Sequence, residues 1–550
     1  MHYRKKNHIT GNTTPIISAE NMGTAEVSPE DRRMNRVCCR LGICSMAVLL
    51  LMVGCLVGCR MRDGSTETTA ETETESRTDN ETGRFEDVFT AKQACTNALD
   101  LIHHIGHYDE GALTEYRKFQ SEARAVLTDP DVTLAELEAL YPQIMERSGT
   151  LALERGDTAR VYITTTDGKN RIGWDYRECK MGFVPAEGEE GEELSFLGCE
   201  IRVRGNSTAG GPKFPYSFKL PYNESLFGMD AGKRWNLMAN LHDKSMMRSY
   251  IGLTLAAELG APYTSQTTFV EVYLNDTYLG SYELVEAISD AENRVDVDTD
   301  NHEAILEIDA NRDDGSHYLT TSLGLRYKVD RPEQVSGELA DWLDEFLLEA
   351  ETALAEGRAA EYFDFESFVN VYLTLEYTKN LDSNSFSTRY FIKDNRIYAG
   401  PVWDFDLSSG NVADNVDEEG YRIYLNIRGR GDGSEDSTRG LWNREGWIGA
   451  LFEYAEFADM VTARYNEMRP LFENVYADNE LGQSFIGRLQ DTYGASFRRN
   501  YDEGGWDIMA RYSPYHMEPG MTYDEHVQFL TDWFRNRLAW LDTVYREDKR

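Results

Sequence analysis

Asp404 and Asp406 stand two residues apart in AGPVWDFDLSSGN (399–411), either side of Phe405, between an apolar run and a Ser-Ser-Gly turn. In an extended chain, residues i and i+2 point to the same side. The spacing therefore predicts two carboxylates crowded on one face. Like charges at that distance raise each other's pKa unless a cation or a proton relieves them. The pair reads either as ligands for a metal ion or as a solvated turn, and the bulky Trp403 and Phe405 argue against free exposure. A second group with chemical potential is Lys219 in YSFKL. It falls on the opposite strand face from Tyr216, Phe218 and Leu220 and on the same face as Ser217. Its ammonium faces either a cleft or solvent. Arg204, at the edge of the glycine-containing turn RGNSTAGGP, reaches a phosphate or pairs with an acid.

Those groups need elements to hold them. Residues 156–290 read as β-rich: ARVYITTT, LGCEIRVRGNST, YSFKLPY and TFVEVYLNDTYLGSYELVE carry β-branched and aromatic residues between turn signals. One helix interrupts them, DKSMMRSYIGLTLAAELG, with Asp243 as its expected cap and Gly260 as its end. Residues 291–550 read as mainly helical, with GELADWLDEFLLEAETALAEG, FESFVNVYLTLEYTKNL and HVQFLTDWFRNRLAWLDTVY as the longest patterns. Upstream, residues 86–155 read as a small helical module. Tyr116, Phe119, Ala123 and Val126 recur at helical spacing there, and Thr133 and Glu136 form a capping box. His103 and His107 lie one turn apart, either as two metal ligands or as an exposed helix end; no third ligand is evident.

The first 60 residues carry 8 Lys and Arg against 4 acids, whereas the whole chain carries 95 acids against 56 bases. A net charge of -39 excludes an electrostatic grip on nucleic acid, which needs clustered Lys and Arg. Five of the eight cysteines lie in or beside LGICSMAVLLLMVGCLVGC, an apolar segment with the basic flank MNRVCCR. Met34 makes a compact start for a secretory signal, and LVGC resembles a bacterial lipoprotein box with Cys59 as the lipidated residue. The other reading of the segment is a membrane-spanning helix. Either way, the rest of the chain is expected on the extracytoplasmic side, held to the bacterial membrane. Residues 60–85 have few apolar side chains and form a self-repelling tether. In such a compartment, Cys179 and Cys199 form either a disulfide or two buried thiols.

Several familiar signatures are absent: G-x-S-x-G, H-E-x-x-H, and C-x-x-C outside the signal region. Asp296, Asp298, Asp300 and Glu307 have the spacing of a calcium loop, but Asn301 replaces its turn glycine and AILEI reads as a strand.

Five segments in order, IRVRGNST…PKFPYSFKL, WNLMANLHDKSMMRSYIGLTLAAELG, VEVYLNDTYLGSYELVEAI, FDFESFVNVYLTLEYTKNLD and GPVWDFDLSSGN, resemble the CotH spore-coat kinase family across residues 159–545. Residues 86–155 resemble the FIVAR helical modules of surface proteins. The CotH resemblance implies an α+β, bilobal, atypical kinase-like fold that binds ATP with Mg²⁺ or Mn²⁺. It implies Asp382, in NLDSNS, as the catalytic aspartate, Lys219 and Arg204 at the phosphates, and Asp404 and Asp406 at the metal. Glu283 and Glu286 fall where the lobes would join, near the nucleotide base. The resemblance departs at one point: where relatives carry an Asn after the catalytic Asp, this chain has STRYF, with Arg389 or a serine in that place. Asn384 is the substitute second metal ligand.

The expected activity is transfer of phosphate from ATP to the hydroxyl of a protein acceptor at the cell surface. The rival is a non-catalytic surface binder that keeps the fold, its Trp and Tyr residues contacting cell-wall polysaccharide.

Overall fold

Alternation builds the first half of the protein. In β3 (Leu194–Val203), Cys199, Ile201 and Val203 are buried while Glu200 and Arg202 face out. The same period runs through β4 (Tyr216–Glu224), with Phe218 and Leu220 inward and Ser217 and Lys219 outward. With β1 (Arg160–Thr165), β2 (Arg177–Val184), β5 (Gly232–Met238), β6 (Thr267–Leu274) and β7 (Thr277–Glu286), these strands close a seven-stranded barrel in the order β1-β2-β3-β4-β5-β7-β6. Neighbours are antiparallel except at the seam, where β6 runs parallel to β1 and pairs Val161 with Val272. Phe183, Phe218, Trp235 and Leu284 fill the interior. Each such side chain contributes on the order of 2 kcal/mol through burial.

The computed structural model describes residues 85, 87–100, 107–149, 151, 153–205, 208–275, 277–291, 293–309, 316–324, 326–411, 436–510 and 520–546. All belong to one compact unit, Asn80–Arg550. Cys59, residues 60–84 of the tether, His103 and residues 206–207 of the glycine-containing turn lie outside the described residues.

Cys179 and Cys199 are directly opposed across β2 and β3, inside the barrel, as free thiols. Burial pushes both thiols up, Cys199 to about 12. Of the two readings left open by the sequence, the structure has the buried thiols.

Three helices precede the barrel: α1 (Val88–Leu99), α2 (Glu110–Thr128) and α3 (Leu134–Gly149). Tyr116, Phe119 and Ala123 are buried, but Val126 is exposed. The Thr133–Glu136 box is formed, with Thr133 N–H donating to Glu136 at 2.9 Å. The core of these helices continues onto the outside of the barrel through Tyr162, Val184 and Tyr273. His107 belongs to that contact: Nδ1 lies 2.6 Å from the Tyr162 hydroxyl, and the ring meets Tyr273 edge-on. His107 is therefore half-buried against the barrel and is not an exposed helix end.

Between β5 and β6 lies α4 (Arg248–Leu259), which ends at Gly260 with φ 78°. Asp243 does not occupy its N-cap. It stands five residues before the first helical residue, and its carboxylate accepts the Arg248 N–H at 2.8 Å. The chain between them folds as a tight turn held by the same carboxylate.

Residues after 290 are not purely helical. β8 (Ala304–Asp309), β9 (Tyr318–Thr320), β10 (Arg326–Arg331), β11 (Phe386–Lys393) and β12 (Arg396–Ala399) form a second sheet in the order β12-β11-β8-β10-β9. These strands are short and carry charges such as Arg326, Lys328, Arg389 and Lys393, so their apolar alternation is weak. Helices α5 (Gly337–Ala355), α6 (Phe365–Thr378), α7 (Gly446–Leu451), α8 (Ala455–Asn474), α9 (Phe485–Asp502) and α10 (Tyr523–Tyr545) pack around that sheet in the largest core. α6 is buried on nearly every side, and Asp364 caps it by accepting the Ser367 N–H at 2.9 Å. The result is an α+β protein with a closed barrel and ten α-helices among the described residues.

Candidate active site

The Asp404 loop follows β12 without regular structure of its own. It is not the extended segment expected from spacing, because Asp404 takes a left-handed conformation with φ 65°. Aspartate tolerates that region better than most residues, and such backbone clusters at functional sites. Phe405 is the anchor. It is fully buried against Gly252 of α4, where an added methyl would meet the ring at 2.5 Å. With the ring held inward, Asp404 and Asp406 both line a cleft of about 220 Å³.

Asp382, from the turn after α6, lines the same cleft. Asp404 feels both neighbours. Its carboxyl is pushed up to about 8, first by burial, then by Asp406 and then by Asp382. Ser387 partly offsets this by donating its hydroxyl to Asp404 Oδ2 at 2.9 Å. A buried carboxylate crowded by two others is a site short of positive charge. Among the described residues, no three His, Cys, Asp or Glu side chains converge as a ready metal cage. The all-oxygen donor set nevertheless fits a hard cation that completes its shell with water and phosphate oxygens, as Mg²⁺ does.

Arg204 enters the cleft from the end of β3, its guanidinium 5.3 Å from the Trp403 ring centre and 2.7 Å from Met238 Sδ. Burial pulls it down to about 10, against the opposing pull of Asp404. Arg389 also lines the cleft, but its charge is engaged: Nη2 donates to Glu307 Oε1 at 2.7 Å, and Nε lies 3.7 Å from Asp330. Glu307 therefore serves the cleft and not a calcium loop. Asp298 meanwhile caps a short turn of its own.

The remaining sequence candidates lie elsewhere. Lys219 sits on the outer barrel face, 3.2 Å from Glu200 and 3.8 Å from the centre of the Tyr176 ring, and is not among the residues lining the cleft. The strand alternation located its face correctly, but that face is covered by Tyr176 and Glu200. Asn384 turns away too, donating to the Trp442 carbonyl at 2.9 Å. Glu286 pairs with Arg294 at 2.9 Å on a separate cavity wall.

Glu283 is fully buried beneath the cleft, not in it. It accepts hydrogen bonds from Asn240 at 3.2 Å, Ser249 at 3.2 Å and Thr267 at 3.0 Å. Asn240 and Ser249 do line the cleft, and neither was legible as a site residue because both are common surface types. Burial pushes Glu283 from 4.5 up to about 7. The native state thus holds this proton more tightly than the unfolded chain. The group's contribution is full below pH 4.5 and is lost as pH rises towards 7. Glu283→Gln is expected to remove about 3 kcal/mol of that pH dependence, read from urea unfolding midpoints at intervals from pH 4.5 to 7.5. An unchanged slope would disprove it.

The family model described as CotH kinase protein matches residues 201–541. No curated protein matches the chain.

Proposed function

The chain belongs to the CotH kinase protein family, and from that membership we propose that it is a kinase-like enzyme transferring phosphate from ATP to the hydroxyl of a protein acceptor. The observation that carries the reading is the convergence of Asp382, Asp404 and Asp406 with Arg204 on one cleft. The cleft walls come from residues 204–253 and from residues 307–407, which supports a two-lobed, kinase-like arrangement with the site at the junction.

In this proposal Asp404 and Asp406 hold Mg²⁺ or Mn²⁺. The bound cation would offset phosphate charge, which is most of what phosphoryl transfer asks of a protein. Asp382 accepts the proton of the acceptor hydroxyl as it attacks. Arg204 holds a phosphate oxygen, stacked on Trp403 so that little side-chain freedom is lost on binding. Asn240 and Ser249 are fixed from below by Glu283 and present polar atoms to the nucleotide. Incubating the purified chain with labelled ATP and either metal tests the reading. Label on the chain or on an added protein is expected; no nucleotide binding and no transfer would sink it.

One observation favours the second reading, a surface binder that keeps the fold. Among the described residues, no lysine lines the cleft where a kinase would place one against the phosphates. In that case the chain contacts cell-wall polysaccharide and turns over no ATP.

The location is also a proposal. We place the protein on the extracytoplasmic face of a bacterial membrane, tethered through lipid on Cys59 after a signal starting near Met34, with a FIVAR-like module before the catalytic body. Cys59→Ala should then shift the chain from the detergent-extracted membrane fraction to an unlipidated precursor or the medium. Lipid labelling of that variant at the wild-type level would refute the anchor.

A further inference from the structure

α6 ends at Lys379, whose φ of 45° breaks the helix, and the next side chain is the fully buried amide of Asn380. Its two polar atoms face different partners. Nδ2 donates to the backbone carbonyl of Asp404 at 2.8 Å, and Oδ1 accepts the backbone N–H of Asp382 at 3.2 Å. One side chain thus joins the peptides of two cleft acids that are 22 residues apart in sequence. Two backbone bonds run parallel to it, Leu381 N–H to the Leu407 carbonyl at 3.2 Å and Ser409 N–H to the Thr378 carbonyl at 2.7 Å. Those bonds align the two loops, whereas the Asn380 amide reaches the acid-bearing residues themselves.

The amide is matched to this task. It offers a donor and an acceptor at a fixed separation on one planar group, without charge. A carboxylate at the same place would face the Asp404 carbonyl with an acceptor, and an ammonium would have no acceptor for Asp382. The Asp404 carbonyl also belongs to the residue in the left-handed conformation, so the bond to Asn380 secures a backbone state that would otherwise relax.

We infer that Asn380 is a positioning residue that sets the distance between the acid taking the acceptor proton and the acid holding the metal. The inference rests on the kinase reading above. Its two bonds lock the Asp382 and Asp404 peptides to one rigid group, so that neither carboxylate drifts when the cation arrives. Displacement of a reacting group by an ångström typically costs about 100-fold in rate. Loss of a group that orients a metal ligand typically costs about 10- to 100-fold in metal affinity.

The test uses the full chain and two measurements: calorimetric titration with Mn²⁺ alone, and phosphate transfer with Mg²⁺ and ATP. Asn380→Ala is expected to weaken Mn²⁺ binding at least tenfold and to lower kcat about 100-fold, both counted per folded molecule. Asn380→Ser, which keeps a polar group but cannot reach both partners, should show the same two losses. A merely structural role would lower the melting temperature and the folded fraction while leaving Mn²⁺ affinity and kcat per folded molecule unchanged, and that result overturns the inference. Recovery of both variants only as unfolded chain also assigns Asn380 to structure and overturns it. If the wild type transfers phosphate and the variants match it, this inference alone falls. If the wild type neither binds Mn²⁺ nor transfers phosphate, the kinase reading falls and takes the inference with it.

Discussion

Asp404→Asn is expected to abolish metal-dependent nucleotide binding and phosphate transfer together. The substitution keeps the shape of the side chain, and the amide still accepts the Ser387 hydroxyl now donated to Oδ2. What disappears is the negative charge that burial, Asp406 and Asp382 already make costly. A cation recovers that cost on binding, so the crowding seen here is a measure of how much the site gains from one. Removing the charge should also relieve the crowding, and Asp404→Asn should therefore unfold at higher denaturant than wild type in the absence of metal. Asp382→Asn separates the roles. It should leave Mg²⁺-ATP binding nearly intact while transfer falls about 10²- to 10⁴-fold, the usual loss for a general base. Calorimetry with Mg²⁺-ATP beside a transfer assay distinguishes the two variants. Equal loss of binding in both would mean that Asp382 is a ligand and not the base. Normal transfer by Asp404→Asn would remove it from the metal site altogether.

Arg248→Ala should be the most damaging single change to the frame around the site. The guanidinium is fully buried and ion-paired with Asp243, and it donates to the Ser245 hydroxyl at 3.1 Å. It also donates to the carbonyls of Ser408 at 3.2 Å and Ser409 at 3.3 Å, in the loop that begins with Asp404. Asn411 ties the same loop to the neighbouring turn through the carbonyls of Asp406 at 2.7 Å and His242 at 3.1 Å. Removing the arginine leaves the Asp243 carboxylate buried without its cation, which typically costs about 3–5 kcal/mol. The double variant Asp243→Ala, Arg248→Ala removes the stranded charge as well, and should unfold at higher denaturant than Arg248→Ala alone. Urea unfolding of wild type, both single variants and the double variant checks this. Additive losses would show that the pair is not coupled. Two loop carbonyls also lose their donor, so metal affinity should fall in both variants lacking Arg248 even where the fold survives.

Much of this protein is written locally. Period-two alternation around Phe218 and Leu220 marks a strand, Thr133 with Glu136 marks a helix start, and Gly260 marks a helix end. Local sterics and hydrogen bonding decide each of these, and neighbours in sequence suffice to read them. The acid pair is also local: Asp404 and Asp406 flank an aromatic residue, and a charged pair beside a buried ring points to a site. The family resemblance rests on such segments in order, and residues 201–541 match the family model.

Tertiary structure decided what depends on partners distant in the chain. The barrel closes only when β6 meets β1, a pairing between segments about 110 residues apart that no period in either strand announces. β11 joins β8 across about 80 residues, so although AILEI reads as a strand by itself, its partner in the second sheet could not be read from its own residues. The fate of each polar side chain was hidden for the same reason. Alternation told which way Lys219 points, but not that Tyr176 and Glu200 would be waiting there. Glu307 sat in an acidic run by spacing, yet the fold turned it to Arg389 across the sheet. Asn380 is the clearest case. Nothing in its neighbourhood distinguishes it from any other turn asparagine, and its meaning comes entirely from the Asp404 peptide that folding brings to its amide.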